Sequence, residues 1–266
     1  MKKLICFCLT ISLLTLSACV SHQPTEGISQ TEPLDWAYLG LLPVEPVVGA
    51  ISLLTHKPLL HLAVTNKDIC LGNQEIVVVI PGLWTGDVAV SPIVHSLNQL
   101  GFTAFSWQQG LSLIDFEQND QSFYEFVLKL FLEHDQKISL VGWSIGGARA
   151  VKFAYEHPEL VKQVITLGTP YRTSPVLDAL SKYVYRDIHE AVTNLSCAIP
   201  LTAIYGQIDS LVRGKNGALL NENLDQLCWR ENVPVFTNHY GIGYSISALR
   251  VIAEKLSSDV PSTHKD

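Results

Sequence analysis

Three residues of this 266-residue chain could together carry out nucleophilic catalysis: Ser144, Asp209 and His239, in this order. A serine hydroxyl is a weak nucleophile by itself, so it needs a histidine as a general base that takes up its proton. The histidine in turn needs a carboxylate that fixes its tautomer and stabilises its protonated form. The sequence therefore offers the three parts of a catalytic triad, provided that the fold brings them together.

Ser144 lies in the motif Gly142-Trp143-Ser144-Ile145-Gly146-Gly147, between the apolar run 138–141 and a helix-like segment from residue 148. This pattern predicts a strand, a sharp turn and a helix, with the serine in a strained conformation that exposes its hydroxyl. The flanking glycines would leave room for the neighbouring strand and helix. The simpler alternative is a tight turn in which Ser144 only caps the helix.

Asp209 and His239 each come directly after an apolar run that reads as a strand. In parallel sheets, ligands bind beyond the carboxyl ends of the strands, so we expect both residues to lie near Ser144. Alternatively, Asp209 is an ordinary turn residue and His239 a solvated or capping side chain. Other acidic residues and histidines have weaker positions for the same roles, namely Asp187, Asp225, His157, His189 and His264.

An acyl-transfer site also needs hydrogen-bond donors for the oxyanion of the tetrahedral intermediate. We predict two backbone N–H groups: that of Ile145, at the positive end of the helix, and that of Leu83, in the turn Pro81-Gly82-Leu83. The loss of one such donor typically costs about 3 kcal/mol of transition-state stabilisation.

The elements that must position these residues alternate between β-branched runs and amphipathic helices, which predicts a mostly parallel sheet with helices on both faces. The expected strands are residues 75–80, 102–107, 138–141, 163–168, 201–205 and 233–236, and the expected helices include residues 91–100 and 121–133. The fold class is therefore α/β.

Two segments depart from this alternation. Residues 171–198 form a longer insert with helical spacing, either a cap over an acyl pocket or a crossover helix packed on the sheet. Residues 34–62 are strongly apolar but contain Pro43, Pro46 and Pro58, which argue against a membrane-spanning helix. We expect residues 34–62 to pack on the core. The alternative is that they form an apolar surface that faces lipid.

The cysteines are candidates for a disulfide rather than for metal ligands. We expect Cys197 to pair with Cys228, since each comes just before a predicted strand, although the spacing alone does not exclude Cys70 as a partner. No Cys-x-x-Cys pair or histidine cluster is present in the sequence, so no metal site is predicted.

The N-terminus begins with Lys2-Lys3, continues with the apolar run Leu4 to Leu16 and ends in Leu16-Ser17-Ala18-Cys19. This segment resembles the lipobox of bacterial lipoproteins, which implies cleavage before Cys19 and acylation of that residue. Val20 follows, with no aspartate as an inner-membrane retention signal. The resemblance thus implies a lipid-anchored protein of the bacterial cell envelope, at the outer membrane or its periplasmic face rather than in the cytoplasm.

The length and charge bound the remaining possibilities. We predict a signal peptide at 1–18, a flexible tether at 19–34, one domain at 35–258 and a polar tail at 259–266. The chain has 25 acidic against 18 basic residues and no basic run, which makes nucleic acid an improbable partner. The sequence does not predict an oligomeric state.

Several motifs carry a resemblance to bacterial α/β-hydrolases of the lipase/esterase type, over about residues 36–257. They are Pro81-Gly82-Leu83-Trp84, Gly142 to Gly147, His157-Pro158-Glu159, Val164 to Pro170 and the segment from Glu231 to Gly243. The resemblance implies an α/β-hydrolase fold with a short helical cap and Ser144, Asp209 and His239 as the triad. It also implies hydrolysis of lipid or other lipophilic carboxylic esters, with no cofactor.

The sequence is also compatible with two other functions. The same triad serves acyltransferases and thioesterases, and the chain could also be an envelope-binding lipoprotein without activity. A dinucleotide-dependent dehydrogenase is disfavoured, because no Gly-x-Gly-x-x-Gly follows the first strong strand.

Overall fold

The computed structural model describes residues 42–65, 69–113, 119–171, 188–212, 218, 220 and 228–258. The predicted signal peptide with Cys19, the tether and the polar tail lie outside these residues, as do Asp187, Asp225 and His264.

The core of the fold is a sheet of six parallel strands in the order β2-β1-β3-β4-β5-β6. Every predicted strand is present, with boundaries shifted by at most a few residues. The strands are β1 Ile76–Ile80, β2 Thr103–Ser106, β3 Ile138–Trp143, β4 Val161–Leu167, β5 Leu201–Gly206 and β6 Arg230–Val235. All residues of β1 and β3 are buried, as expected for strands covered on both faces.

Helices cover both faces of this sheet. They are α1 Glu45–Thr65, α2 Asp87–Gln99, α3 Asp120–His134, α4 Ile145–Glu156, α5 His239–Ile242 and α6 Ile246–Ser257. Val78 and Ile80 of β1 pack with α3 and α4, whereas Val77 and Val79 pack with α1, α2 and α6. Alternate side chains along one strand thus pack into two separate hydrophobic layers, one on each face of the sheet.

The strand order places a crevice where the chain changes direction. From β1 the chain moves outward to β2, then returns to β3 on the other side of β1. The loops that leave β1 and β3 therefore diverge, and such a switch point is where parallel sheets bind ligands. Leu83 follows β1 and Ser144 follows β3, so both flank this crevice.

The prolines of the apolar segment 34–62, which in the sequence argue against a membrane-spanning helix, do not interrupt α1, which continues through Pro58. Pro46 lies in the first turn of α1, where its missing N–H would have no partner within the helix. A proline inside a helix costs about 3 kcal/mol, which contacts with neighbouring elements can offset. Here α1 packs against α5 and α6.

The expected core packing of α1 holds for one side only. Gly49, His56 and Leu60 are buried, whereas Val47 is 56% and Leu54 79% exposed. By length and composition α1 could cross a membrane. One face of α1 thus packs against α5 and α6, while its opposite face is apolar and exposed.

Of the predicted cap insert 171–198, the structure describes Tyr171 and residues 188–198. Residues 188–194 are helical, and Ile188 and Leu195 are buried in the same hydrophobic layer as α3 and α4. This end is therefore packed on the sheet, as in the crossover alternative. Cys197, just after it, forms a disulfide with Cys228, while Cys70 is a free, exposed thiol.

Candidate active site

Ser144 occupies the sharp turn between β3 and α4 that its motif predicts. Its φ of 55° and ψ of −123° are unfavourable for a residue with a side chain. The surrounding backbone maintains this conformation: Ser144 N donates to Leu167 O at 2.8 Å, and Thr169 Oγ1 donates to Ser144 O at 2.9 Å. The Ser144 side chain makes no capping hydrogen bond to α4, so the capping alternative is wrong.

The glycines of the motif are required by close backbone approach. A Cβ at Gly142 would overlap the backbone of Gly146 and Gly147. A Cβ at Gly146 would overlap the carbonyl oxygens of Ile80 and Pro81. The absence of side chains therefore lets α4 begin directly beside the end of β1, which brings Ser144 next to the Pro81–Leu83 turn.

The structure brings Ser144, His239 and Asp209 together in one hydrogen-bonded chain. His239 Nε2 lies 3.0 Å from Ser144 Oγ, and His239 Nδ1 lies 2.8 Å from Asp209 Oδ2. These distances are within the range required for proton transfer from serine to histidine. Asp209 is fully buried and His239 is 7% exposed, whereas Ser144 is more accessible.

The electrostatic setting suits His239 as a proton acceptor. Burial by itself lowers the pKa of His239, but the charge and hydrogen bond of Asp209 raise it, and the charge of Glu45 adds to this. The net result is a pKa above the ordinary value of about 6.5. The nearby carboxylates therefore favour the imidazolium that a serine nucleophile would create.

Backbone contacts fix the orientation of the Asp209–His239 pair. Asp209 Oδ1 accepts hydrogen bonds from Leu211 N at 3.0 Å and Val212 N at 2.8 Å, which leaves Oδ2 for the histidine. Trp143 Nε1 donates to His239 O at 3.2 Å. The residue before the serine thus helps to hold the histidine, a role that its sequence position does not indicate.

The turn that contains Leu83 is firmly attached to the loop after β2. Trp84 N donates to Ser112 O at 2.7 Å, and Ser112 N donates to Thr85 O at 2.8 Å. Within the described residues, Leu83 N has no backbone hydrogen-bond partner. Ile145 is the first residue of α4, where an N–H has no acceptor within the helix. Both predicted oxyanion donors therefore lie beside Ser144, and among the residues that the structure describes neither has a competing backbone acceptor.

Two of the histidines considered as weaker candidates for the general base lie within the described residues, and neither is part of this site. His157 follows α4, where its ring packs against Tyr124 and Phe153. His189 lies in the helical segment 188–194 and is exposed. Among the residues that the structure describes, no three His, Cys, Asp or Glu side chains lie close enough to hold a metal ion.

Glu45 is a site residue that sequence reasoning missed. It is the first residue of α1 and is 2% exposed, and it bonds to both the segment after Asp209 and the backbone of His239. The only signal in the sequence is an isolated acidic residue between two prolines in an apolar stretch. Such a residue is rarely buried unless it has several hydrogen-bond partners.

No family model matches the chain, and no curated protein matches it significantly. Solved structures with the same architecture do match. The chain resembles a monoacylglycerol lipase from Paleococcus ferrophilus, with 14% identity and a TM-score of 0.53, over 71% of this chain and 96% of that chain. It also resembles the mature form of a lipase from Bacillus licheniformis, with 15% identity and a TM-score of 0.52, over 70% and 93% of the two chains.

A third similar structure is lipase B from Aspergillus fumigatus, with 18% identity and a TM-score of 0.55, over 71% of this chain but 54% of that chain. Identities at this level establish the fold and no more. The chain has the α/β-hydrolase fold, with a parallel sheet and helices on both faces, as the sequence predicts.

Proposed function

We propose that this protein is a serine hydrolase that cleaves carboxylic esters of lipophilic acids through an acyl-enzyme. The observation that carries the proposal is the hydrogen-bonded chain Ser144–His239–Asp209 at the carboxyl edge of the sheet. A strained serine conformation and two adjacent N–H groups support it, because a serine that is merely structural needs neither.

In the proposed reaction, Ser144 Oγ attacks the ester carbonyl carbon while His239 Nε2 takes its proton. The N–H groups of Leu83 and Ile145 stabilise the oxyanion that forms. When the intermediate collapses, the bond to the alcohol oxygen breaks and His239 returns the proton to the leaving alcohol. Water then repeats the sequence on the acyl-enzyme and releases the acid. Asp209 accepts the hydrogen bond from His239 Nδ1 and stabilises the imidazolium.

Exposed aromatic residues next to the site favour a lipophilic substrate. Trp84 follows Leu83 and is 67% exposed, and Tyr240 follows His239 and is also exposed. Large apolar side chains at such positions provide contact area for an acyl chain. The similar solved structures include a monoacylglycerol lipase and two further lipases, which agrees with this substrate class.

The test is a series of p-nitrophenyl esters from acetate to palmitate, with Ser144→Ala as the matched control. We expect turnover by the wild type that depends on chain length, and none above background by the variant. A protein that binds without catalysis would turn over none of the esters. Faster acyl transfer to an added alcohol than to water would identify an acyltransferase. A strong preference for acyl thioesters over esters would identify a thioesterase.

We also propose that the protein is anchored in the bacterial cell envelope by acyl chains on Cys19. The lipobox-like N-terminus supports this, and two or three acyl chains suffice for stable anchoring without a spanning helix. Metabolic labelling with an alkyne fatty acid tests it: the wild type should be labelled and Cys19→Ala should not. Label that persists in Cys19→Ala would contradict the proposal.

The exposed face of α1 supports a position on a lipid surface. It presents Val47, Leu53, Leu54 and Leu62, each at least 45% exposed, on the first described α-helix after the proposed anchor. We expect unacylated Cys19→Ala protein to bind phosphatidylethanolamine–phosphatidylglycerol vesicles, and we expect Leu53→Ser with Leu54→Ser to weaken this binding. Equal binding by both proteins would show that this face has another role.

A further inference from the structure

Glu45 connects two loops that approach the site from different strands. Its Oε1 accepts hydrogen bonds from Ser210 N and Ser210 Oγ, both at 2.7 Å. Its Oε2 accepts from His239 N at 3.0 Å and, more weakly, from Tyr240 N at 3.5 Å. One carboxylate thus holds the residue after Asp209 and the backbone of His239 at the same time.

The main chain of Glu45 strengthens this connection. Its carbonyl oxygen accepts a hydrogen bond from Asn238 Nδ2 at 3.0 Å, and Asn238 Oδ1 accepts from Gly241 N at 2.8 Å. Hydrogen bonds to a charged acceptor are about twice as strong as those between neutral groups. With four donors on its two oxygens, the carboxylate uses close to its full accepting capacity.

We propose that Glu45 is a positioning residue, whose carboxylate holds the loop that carries Asp209 and the loop that carries His239 in the relative placement that the Asp209–His239 pair requires. This inference rests on the proposed function for its catalytic consequence. Without the carboxylate, three backbone N–H groups and one hydroxyl would lose this acceptor, and both loops could move.

The charge of Glu45 also acts on the pKa of His239. A residue that only supports the fold would have no such effect, so this pKa distinguishes the two roles. Among the described residues, the groups around the His239 ring are Ser144 from the β3–α4 turn, Asp209 after β5, Glu45 from α1 and the Tyr240 ring on α5. The carboxylates of Asp209 and Glu45 both raise the pKa of His239. A neutral replacement of Glu45 should therefore lower that pKa.

Glu75 provides a matched control at the opposite end of the sheet. It is also 2% exposed and accepts hydrogen bonds from Ser139, Gln163 and Lys162, but it lies just before β1, at the amino ends of the strands. Glu75→Gln therefore removes a buried charge and weakens the fold without touching the site. Any effect on His239 that is particular to Glu45→Gln must come from the contacts described above.

The experiment is an NMR titration of the His239 ring in the full mature chain, combined with kcat and KM for a p-nitrophenyl ester. Glu45→Gln keeps the shape of the side chain but presents an NH₂ group to one set of donors. We expect a lower His239 pKa and a kcat reduced about 10- to 100-fold, with KM changed less than threefold. Ser210→Ala removes one hydrogen bond to Glu45 but leaves the Glu45 carboxylate in place. This variant should therefore leave the pKa of His239 unchanged and lower kcat only a few-fold.

The outcomes distinguish this inference from the proposed function, because the titration needs no activity. A lower His239 pKa in Glu45→Gln than in the wild type, found together with a wild type that hydrolyses no ester, would support the role of Glu45 and refute the hydrolase. An unchanged His239 pKa in folded Glu45→Gln, or a change equal to that in Glu75→Gln, would overturn the inference. If Glu45→Gln does not fold, Glu45→Asp is the second variant: its shorter side chain keeps the charge, and a wild-type kcat in it would likewise overturn the inference.

Discussion

Gly168 follows β4 and allows the Asp209–His239 pair to occupy its position, and Gly168→Ala tests this directly. A Cβ at Gly168 would lie 3.2 Å from Asp209 Oδ2 and 3.3 Å from His239 Nδ1, closer than nine in ten real Cβ contacts. The two side chains would have to move by a few tenths of an ångström. The backbone adds a separate cost, because Gly168 has a φ of +56°.

The two costs can be separated with Gly101→Ala as a control. Gly101 also has a positive φ, +93°, but its nearest contact would be an ordinary 3.5 Å from Gly72 O, far from the site in the turn before β2. A side chain in the left-handed region costs about 1–2 kcal/mol. Each variant should therefore lose about 2–8 °C in Tm, since 1 kcal/mol corresponds to about 2–4 °C in a domain of this size.

Activity should differ between the two variants although their stabilities fall together. A misplacement of about 1 Å can cost about 100-fold in rate, so a shift of a few tenths predicts a kcat/KM about tenfold lower for Gly168→Ala. Gly101→Ala should keep the wild-type value. The assay is the initial rate of p-nitrophenyl butyrate hydrolysis, normalised to the folded fraction from the melting curve. Equal kcat/KM in the two variants would refute the reasoning.

Three further predictions follow from the site and its surroundings. Asp209→Asn should lower kcat about ten-thousand-fold in steady-state assays, because the amide no longer fixes the histidine tautomer; a loss below tenfold would contradict this. The wild-type kcat/KM should rise with pH through a midpoint above about 6.5, because only neutral His239 accepts a proton. Asp209 and Glu45 raise the pKa of His239 although burial lowers it, so a midpoint below about 6.5 would contradict this prediction. Replacement of Cys197 and Cys228 by serine should lower the free energy of unfolding by about 3–4 kcal/mol in urea titrations, given their separation of 31 residues, with kcat/KM unchanged.

The sheet and the serine turn could be predicted because their determinants are local. A buried parallel strand requires a run of β-branched residues, and the run 75–80 matches β1 within one residue. The glycines around Ser144 are explained by backbone approaches that only glycine permits. The order of Ser144, Asp209 and His239 at strand ends was also enough to predict that they meet, because parallel strands place their carboxyl ends on one edge.

Features that depend on distant contacts could not be predicted in this way. Pro58 argues for a helix break in any local scheme, yet α1 continues because it is packed against α5 and α6. Glu45 bonds to residues more than 160 positions away, and no pattern around it indicates those partners. Likewise, Gly168 shows no sign in the sequence that its missing side chain accommodates two site residues.

The measurement that tests the central claim most directly is labelling of the folded mature chain with a fluorophosphonate, followed by mass spectrometry of its peptides. Because the reagent reacts with an activated serine, we expect one phosphonate adduct, on Ser144. Ser144→Ala should remain unlabelled, and His239→Ala should react far more slowly because the general base is gone. A folded wild type that is not labelled, or a Ser144→Ala variant that is labelled equally, would contradict the account.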